Sequence, residues 1–289
     1  MPAPSASSSI LTTPAELAAA LAAGAYVDGG PVRVLDVRWR LDRPDGRPDY
    51  LAGRIPGARY ADLDAQLSEH GDALDGRHPL PSPARLQRAV REWGIDAGDT
   101  VVVYDDLQNL SSARAWWLLR HAGIGDVRLL DGALRGWIEA GHDLETGEPD
   151  AVAPGGAVVA FGSLPVLDLA DVLDFAVDGV LLDARAGERF RGEVEPIDPR
   201  AGHIPGAVSA PTTGNVDEHG RFRSATDLHD RFTSLGAAPG AHVGVYCGSG
   251  VTAAHEAVAL TLAGFEPVLY PGSWSQWSTH DELPVATGA

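Results

Sequence analysis

The chain repeats itself. Leu35-Asp36-Val37-Arg38 returns as Leu182-Asp183-Ala184-Arg185, and Gly53-Arg54-Ile55-Pro56-Gly57-Ala58 returns as Gly202-His203-Ile204-Pro205-Gly206-Ala207. Val103-Tyr104-Asp105 is matched by Val245-Tyr246-Cys247, and Asp131-Gly132 followed by Trp137 by Pro271-Gly272 followed by Trp277. The four matches occur in one order and at a nearly constant interval. That is the mark of a tandem duplication, and recurrence of Gly-x-Ile-Pro-Gly-Ala in register argues against chance likeness of two unrelated segments.

Each half alternates apolar runs with helical patterns. Each is therefore expected to be an α/β domain, a parallel sheet flanked by helices on both faces. In the first half, Thr13-Pro14-Ala15-Glu16 has the form of a capping box with Pro at the first helical position, and the helix stops at Gly24. Val32 to Arg38 and Thr100 to Tyr104 read as buried strands and Val127 to Leu130 as a third; Pro83 and Ser112 open helices. Residues Met1 to Ser9 read as a frayed tail. Thr146 to Gly162 is rich in Gly, Pro and Ala without a period, which suggests a linker. The expected domains are 10–145 and 164–289, joined by 146–163.

The second half holds the only cysteine, in Val245-Tyr246-Cys247-Gly248-Ser249-Gly250-Val251-Thr252. It follows a strand pattern and precedes a helical one, which places the thiol at the end of a parallel strand, where open α/β sheets bind ligands. Small residues leave room for several backbone N–H groups to converge on one anion. That setting favours the thiolate, the nucleophilic form. The twin position is Asp105, so the first half is not a thiol catalyst. One cysteine excludes an internal disulfide and a multi-thiolate metal site.

Such a loop suits sulfur, phosphoryl or acyl transfer. A cysteine phosphatase needs an Arg six positions after the thiol, and that position is Ala253. Acyl transfer needs a base at the sulfur; His255 reads as a helix-surface histidine.

With the tandem halves, Gly-His-Ile-Pro-Gly-Ala and the Cys-Gly-Ser-Gly-Val-Thr-Ala loop, the chain resembles the two-domain rhodanese family. The six-residue loop from Cys247 to Thr252 is most similar to that of the 3-mercaptopyruvate sulfurtransferases, because the family's thiosulfate enzymes usually carry basic residues just after the Cys. The resemblance covers about Leu11 to Val285. It implies two tandem rhodanese-like domains and a persulfide on Cys247, held by N–H groups from Gly248, Gly250, Val251 and Thr252. It also implies that Ser249 relays a proton, with Asp64 and His78 as its partners, and that Arg189 grips the substrate carboxylate. A second family arginine lies further on in mammalian members; Arg200 is the candidate here. Arg185 reads as structural, because Arg38 holds the same place in the first half.

The expected function is transfer of sulfane sulfur from 3-mercaptopyruvate, a small-molecule donor, to a thiol acceptor such as thioredoxin, a low-molecular-weight thiol, or to cyanide. No cofactor and no metal are expected. The alternatives are a thiosulfate sulfurtransferase of the same fold, and a non-catalytic module that senses or binds persulfides. The net charge of −18 disfavours nucleic acid and anionic membranes as partners. The free thiol and the absence of a basic leader or a long apolar run point to the cytoplasm.

Overall fold

The computed structural model describes residues 10–27, 29–238 and 240–289; the tail Met1–Ser9 lies outside them. The chain divides into two compact units, and the division is discontinuous. One unit comprises the described residues up to Leu63 together with Pro83–Ser163. The other comprises Asp64–Ser82 together with Leu164–Ala289.

The first unit is built on β1 (Leu11–Thr12), β2 (Val32–Asp36), β3 (Arg59–Tyr60), β4 (Thr100–Tyr104) and β5 (Asp126–Leu130). They form one parallel sheet in the order β1-β5-β4-β2-β3. The central strand β4, Thr-Val-Val-Val-Tyr, is buried throughout, as a strand covered on both faces must be. The helix Pro14–Ala23 carries the expected capping box at Thr13 and ends at Gly24 in the left-handed region. Thr146 to Gly162 has neither helix nor strand. It lies along the first unit, with Gly155 N donating to Arg91 O at 2.9 Å and Ala160 N to Ala122 O at 3.0 Å.

The second unit repeats the plan with β6 (Val180–Asp183), β7 (Val208–Ser209), β8 (His242–Tyr246) and β9 (Glu266–Leu269), parallel in the order β7-β6-β8-β9. Where the first unit has β1 beside β5, the second has a single parallel bridge from Val166 to Leu269.

The duplication persists to the level of hydrogen bonds. Arg38 forks onto Asp36 and donates to Gly53 O at 2.7 Å; Arg185 forks onto Asp183 and donates to Gly202 O at 2.7 Å. Both arginines are therefore structural, each tying a strand end to the glycine of the Gly-x-Ile-Pro-Gly-Ala motif. The motif itself is a tight turn. Ala58 N donates to Ile55 O and Ala207 N to Ile204 O, both at 3.0 Å, with Gly57 at φ 75° and Gly206 at φ 85°. Pro followed by a left-handed Gly is the requirement of a type II turn. Tyr104 and Tyr246 complete the pattern, each hydroxyl accepting the N–H of the motif's Ile at 3.1 Å.

Candidate active site

Cys247 follows directly on β8, and the helix Thr252–Leu262 begins five residues later. The thiol is 1% exposed. Three backbone contacts pin the start of the loop. Cys247 N donates to Ser273 Oγ at 3.1 Å, Trp274 N to Cys247 O at 2.9 Å and Ser275 N to Gly248 O at 2.8 Å. Gly250 N then points back at Cys247 Sγ, at 3.2 Å. That turn requires glycine, because Gly250 has φ 77° and a Cβ there would lie 2.2 Å from Pro271 O. Val251 is buried and Thr252 half-buried, at the start of the helix.

Ser249 and His78 meet at 2.8 Å, Oγ to Nδ1. His78 Nε2 lies 3.4 Å from Asp64 Oδ1. Asp64, His78, Ser249 and Cys247 thus gather in the second unit, although Asp64 and His78 come from the part of the chain that interrupts the first. The segment is secured by backbone contacts. Arg77 N donates to Ser275 Oγ at 3.1 Å, and Thr279 Oγ1 to Ala73 O at 3.3 Å. Asp64 itself sits in the short helix Leu63–Gln66.

Two guanidinium groups flank the loop. A Cβ on Gly248 would lie 3.3 Å from Arg77 Nη2 and 3.4 Å from Arg189 Nη1. Arg189 was expected there; Arg77 was not, although it directly precedes His78. Both are tied to acids. Arg189 Nη2 donates to Glu195 Oε1 at 2.6 Å and to Asp198 Oδ2 at 3.1 Å, and Arg77 Nη1 donates to Asp198 Oδ1. Glu195 also accepts the N–H groups of Ile197 and Asp198. Burial works against its charge, yet the Arg189 bond and these N–H groups hold its carboxyl below the usual range. For Asp198 burial prevails over Arg77 and pushes the carboxyl up. The surroundings of the loop thus pair two cations with two acids, although the loop carries no charge of its own.

Two expectations are corrected. Arg200 does not present a free guanidinium to a substrate. Its guanidinium is committed to the carbonyls of Trp277, Ser278, His280 and Leu283 at 2.6–2.9 Å, closing the turn after the last helix. His255 is not on the helix surface but fully buried, stacked on Phe222 with ring centroids 4.6 Å apart.

The rhodanese-like domain model matches residues 13–140 and again 168–280. The chain belongs to the rhodanese family. Among its relatives is the putative thiosulfate sulfurtransferase SseB of Mycobacterium tuberculosis, 47% identical and aligned over 96% of this chain and 97% of that one. The probable 3-mercaptopyruvate sulfurtransferase of Pseudomonas aeruginosa is 47% identical over 88% of this chain and 92% of its own. The 3-mercaptopyruvate sulfurtransferase of Escherichia coli K12 is 36% identical over 90% and 94%. Among solved structures, the chain is similar to SseA from Escherichia coli, a 3-mercaptopyruvate sulfotransferase with the rhodanese fold. The TM-score is 0.79 at 34% identity, covering 92% of this chain and 99% of that one.

In the first rhodanese domain the corresponding loop encloses a carboxyl side chain. Asp105 occupies the place of Cys247, and Leu134 N donates to its carbonyl at 2.9 Å as Trp274 N does to that of Cys247. The Asp105 carboxylate accepts four backbone N–H groups, from Leu107, Asn109, Ser111 and Ser112, at 2.7–2.9 Å. Complete burial pushes this carboxyl above its ordinary range, and the four donors pull it back. In the first rhodanese domain the anion cradle is therefore filled by the chain's own side chain.

Proposed function

We propose that this rhodanese-family protein is a sulfurtransferase that takes sulfur from 3-mercaptopyruvate onto Cys247 and passes it to a thiol or to cyanide. The catalytic unit is the second repeat completed by residues 64–82. The observation that carries the choice of donor is the file Asp64–His78–Ser249, with Ser249 Oγ 2.8 Å from His78 Nδ1. Cleaving mercaptopyruvate breaks a carbon–sulfur bond and leaves an enolate that needs a proton. Thiosulfate would release sulfite, which leaves without one. A hydroxyl backed by a histidine and a carboxylate serves the first reaction and is idle in the second.

The Cys247 thiolate attacks the thiol sulfur of the donor. A sulfur–sulfur bond forms, the C3–S bond breaks, and its electron pair stays on carbon as pyruvate enolate. The enolate takes the proton that the substrate thiol brought, relayed through Ser249 and His78, and leaves as pyruvate. Cys247 keeps the persulfide, whose charge the Gly250 N–H and the neighbouring loop amides stabilise. An acceptor thiolate or cyanide then attacks the outer sulfur, the S–S bond breaks and Cys247 returns as thiolate. Arg189 and Arg77 supply planar, fixed donors for the donor's carboxylate beside Gly248. The lone functional thiol suits a reducing compartment, and we place the protein in the cytoplasm. No helix among the described residues is long and apolar enough to cross a membrane.

The test is to offer each donor separately, follow pyruvate or sulfite release, and weigh the intact protein for one added sulfur. Mercaptopyruvate is expected to give pyruvate and a persulfide that Cys247→Ser abolishes. Transfer from thiosulfate alone replaces this reading with the thiosulfate enzyme. Transfer from neither leaves the non-catalytic persulfide module.

A further inference from the structure

Asp198 is the buried carboxylate that joins the two arginines beside the thiol loop. Its side chain is 3% exposed, with Oδ1 accepting from Arg77 Nη1 and Oδ2 from Arg189 Nη2, the latter at 3.1 Å. The two cations are far apart in sequence, and like charges repel. Something has to hold both guanidinium groups against one glycine. Glu195 does this for Arg189 only, at 2.6 Å, and shares its other oxygen with Arg185 at 3.4 Å. Of the two acids, Asp198 is the one that reaches both.

We propose that Asp198 is a positioning residue for the donor's carboxylate, setting the spacing of Arg77 and Arg189 at Gly248 without touching the donor. The inference rests on the sulfurtransferase reading, because the carboxylate it serves belongs to the proposed donor. An amide at this position has one acceptor oxygen where the carboxylate has two, so it retains one arginine and turns an N–H toward the other. The released guanidinium then loses its fixed direction, and a two-point grip on a carboxylate becomes a one-point grip.

Three charged groups face Asp198: Arg77 and Arg189 through its oxygens, and Glu195, which accepts its N–H at 3.1 Å. Burial and Glu195 favour the protonated form, and the arginines oppose it. Asp198 therefore takes up a proton at a higher pH than an ordinary aspartate, and loses its double grip when it does.

The experiment compares wild type with Asp198→Asn, which keeps the shape, across a pH series. One readout is KM and kcat for 3-mercaptopyruvate. The other is the binding of pyruvate alone, measured calorimetrically, which needs no turnover. Asp198→Asn is expected to raise KM and weaken pyruvate binding about tenfold with kcat changed less than about twofold, the signature of lost binding that is uniform along the reaction. In wild type KM climbs as the pH falls toward the carboxylate range, and in the variant that climb is missing. A purely structural role would not remove it. Equal KM and equal pyruvate affinity in the two proteins would overturn the proposal, as would an identical pH climb in both. If wild type releases no pyruvate from mercaptopyruvate, the reading of the donor fails on its own. The pyruvate titration then decides about Asp198: weaker binding to the variant supports the positioning role, and equal binding, or none to either protein, rejects it.

Discussion

Ser249 Oγ and His78 Nδ1 stand 2.8 Å apart although 171 residues separate them, and His78 presents its other nitrogen to Asp64. Ser249 belongs to the thiol loop, yet in the proposed mechanism neither residue carries the sulfur that sits on Cys247. The two half-reactions should therefore respond differently when the contact is cut. Ser249→Ala and His78→Ala are expected to lower kcat for pyruvate release by ~10²–10⁴-fold, the usual range for a positioned proton-transfer group. Transfer from enzyme already loaded as the persulfide should fall much less. Single-turnover measurements of each step check this, and equal losses in both steps would reduce the pair to a structural contact.

Two glycines of the loop should separate structure from binding. Gly250 is left-handed, and an added Cβ would run into Pro271 O at 2.2 Å. Gly250→Ala is expected to cost at least about 2 kcal/mol from conformation and overlap together, with a matching drop in the urea midpoint. At Gly248 the nearest atoms to an added Cβ are the ends of the Arg77 and Arg189 side chains, at 3.3 and 3.4 Å. Those ends can shift, so Gly248→Ala should leave the unfolding free energy within about 0.5 kcal/mol of wild type and raise KM instead. A stable Gly250→Ala protein with wild-type kinetics would contradict the loop geometry.

What was legible in the sequence was what is local or repeated. Thr13 and Glu16 start their helix through bonds that span three residues and Gly24 ends it in the left-handed region, and the duplicated motifs carried the two-sheet plan from one half to the other. Cys247 stood out because its own neighbours make the loop. Asp64 and His78 were reached only through likeness to a family, since nothing local marks a loop histidine as a partner of Ser249. Arg77 and Asp198 were missed because their meaning is a meeting in space across 121 residues. The loop's lack of charge was legible too, but not the two cations beside it, because Arg77 and Arg189 arrive from elsewhere in the chain. Arg200 misled in the opposite way, since an arginine just after a candidate site looks the same in sequence whether it holds a substrate or four carbonyls.

The filled cradle around Asp105 offers a test of how such loops hold anions. Removing the carboxylate by Asp105→Ala leaves four N–H groups, those of half-buried Leu107 and of buried Asn109, Ser111 and Ser112, without their acceptor. An unsatisfied buried donor costs ~1–3 kcal/mol, so unfolding should shift by several kcal/mol. Because the vacated space matches a small carboxylate, added formate is expected to restore part of the loss in a saturable way, and chloride at equal ionic strength to restore less. A variant as stable as wild type would mean that the four contacts contribute little.

Glu256 lies on the helix that starts at the thiol loop. It is fully buried, accepting from Asn215 Nδ2 at 2.6 Å and from Arg231 Nη1 at 3.2 Å. Burial outweighs these partners and raises its carboxyl from the ordinary 4.5 to about 7. The folded state thus binds this proton more tightly than the unfolded chain. Below about pH 4.5 both states carry the proton and the group makes no difference. Between there and pH 7 the unfolded chain ionises first, so stability falls as pH rises. Above pH 7 the loss is complete, at about 3 kcal/mol from ~1.4 kcal/mol per tenfold change in proton affinity. Urea unfolding at intervals from pH 5 to pH 8 should show this decline in wild type, and Glu256→Gln, which cannot ionise, should flatten it even if the variant starts lower for want of a full partner to Arg231. The same slope in both proteins would assign the decline to other groups.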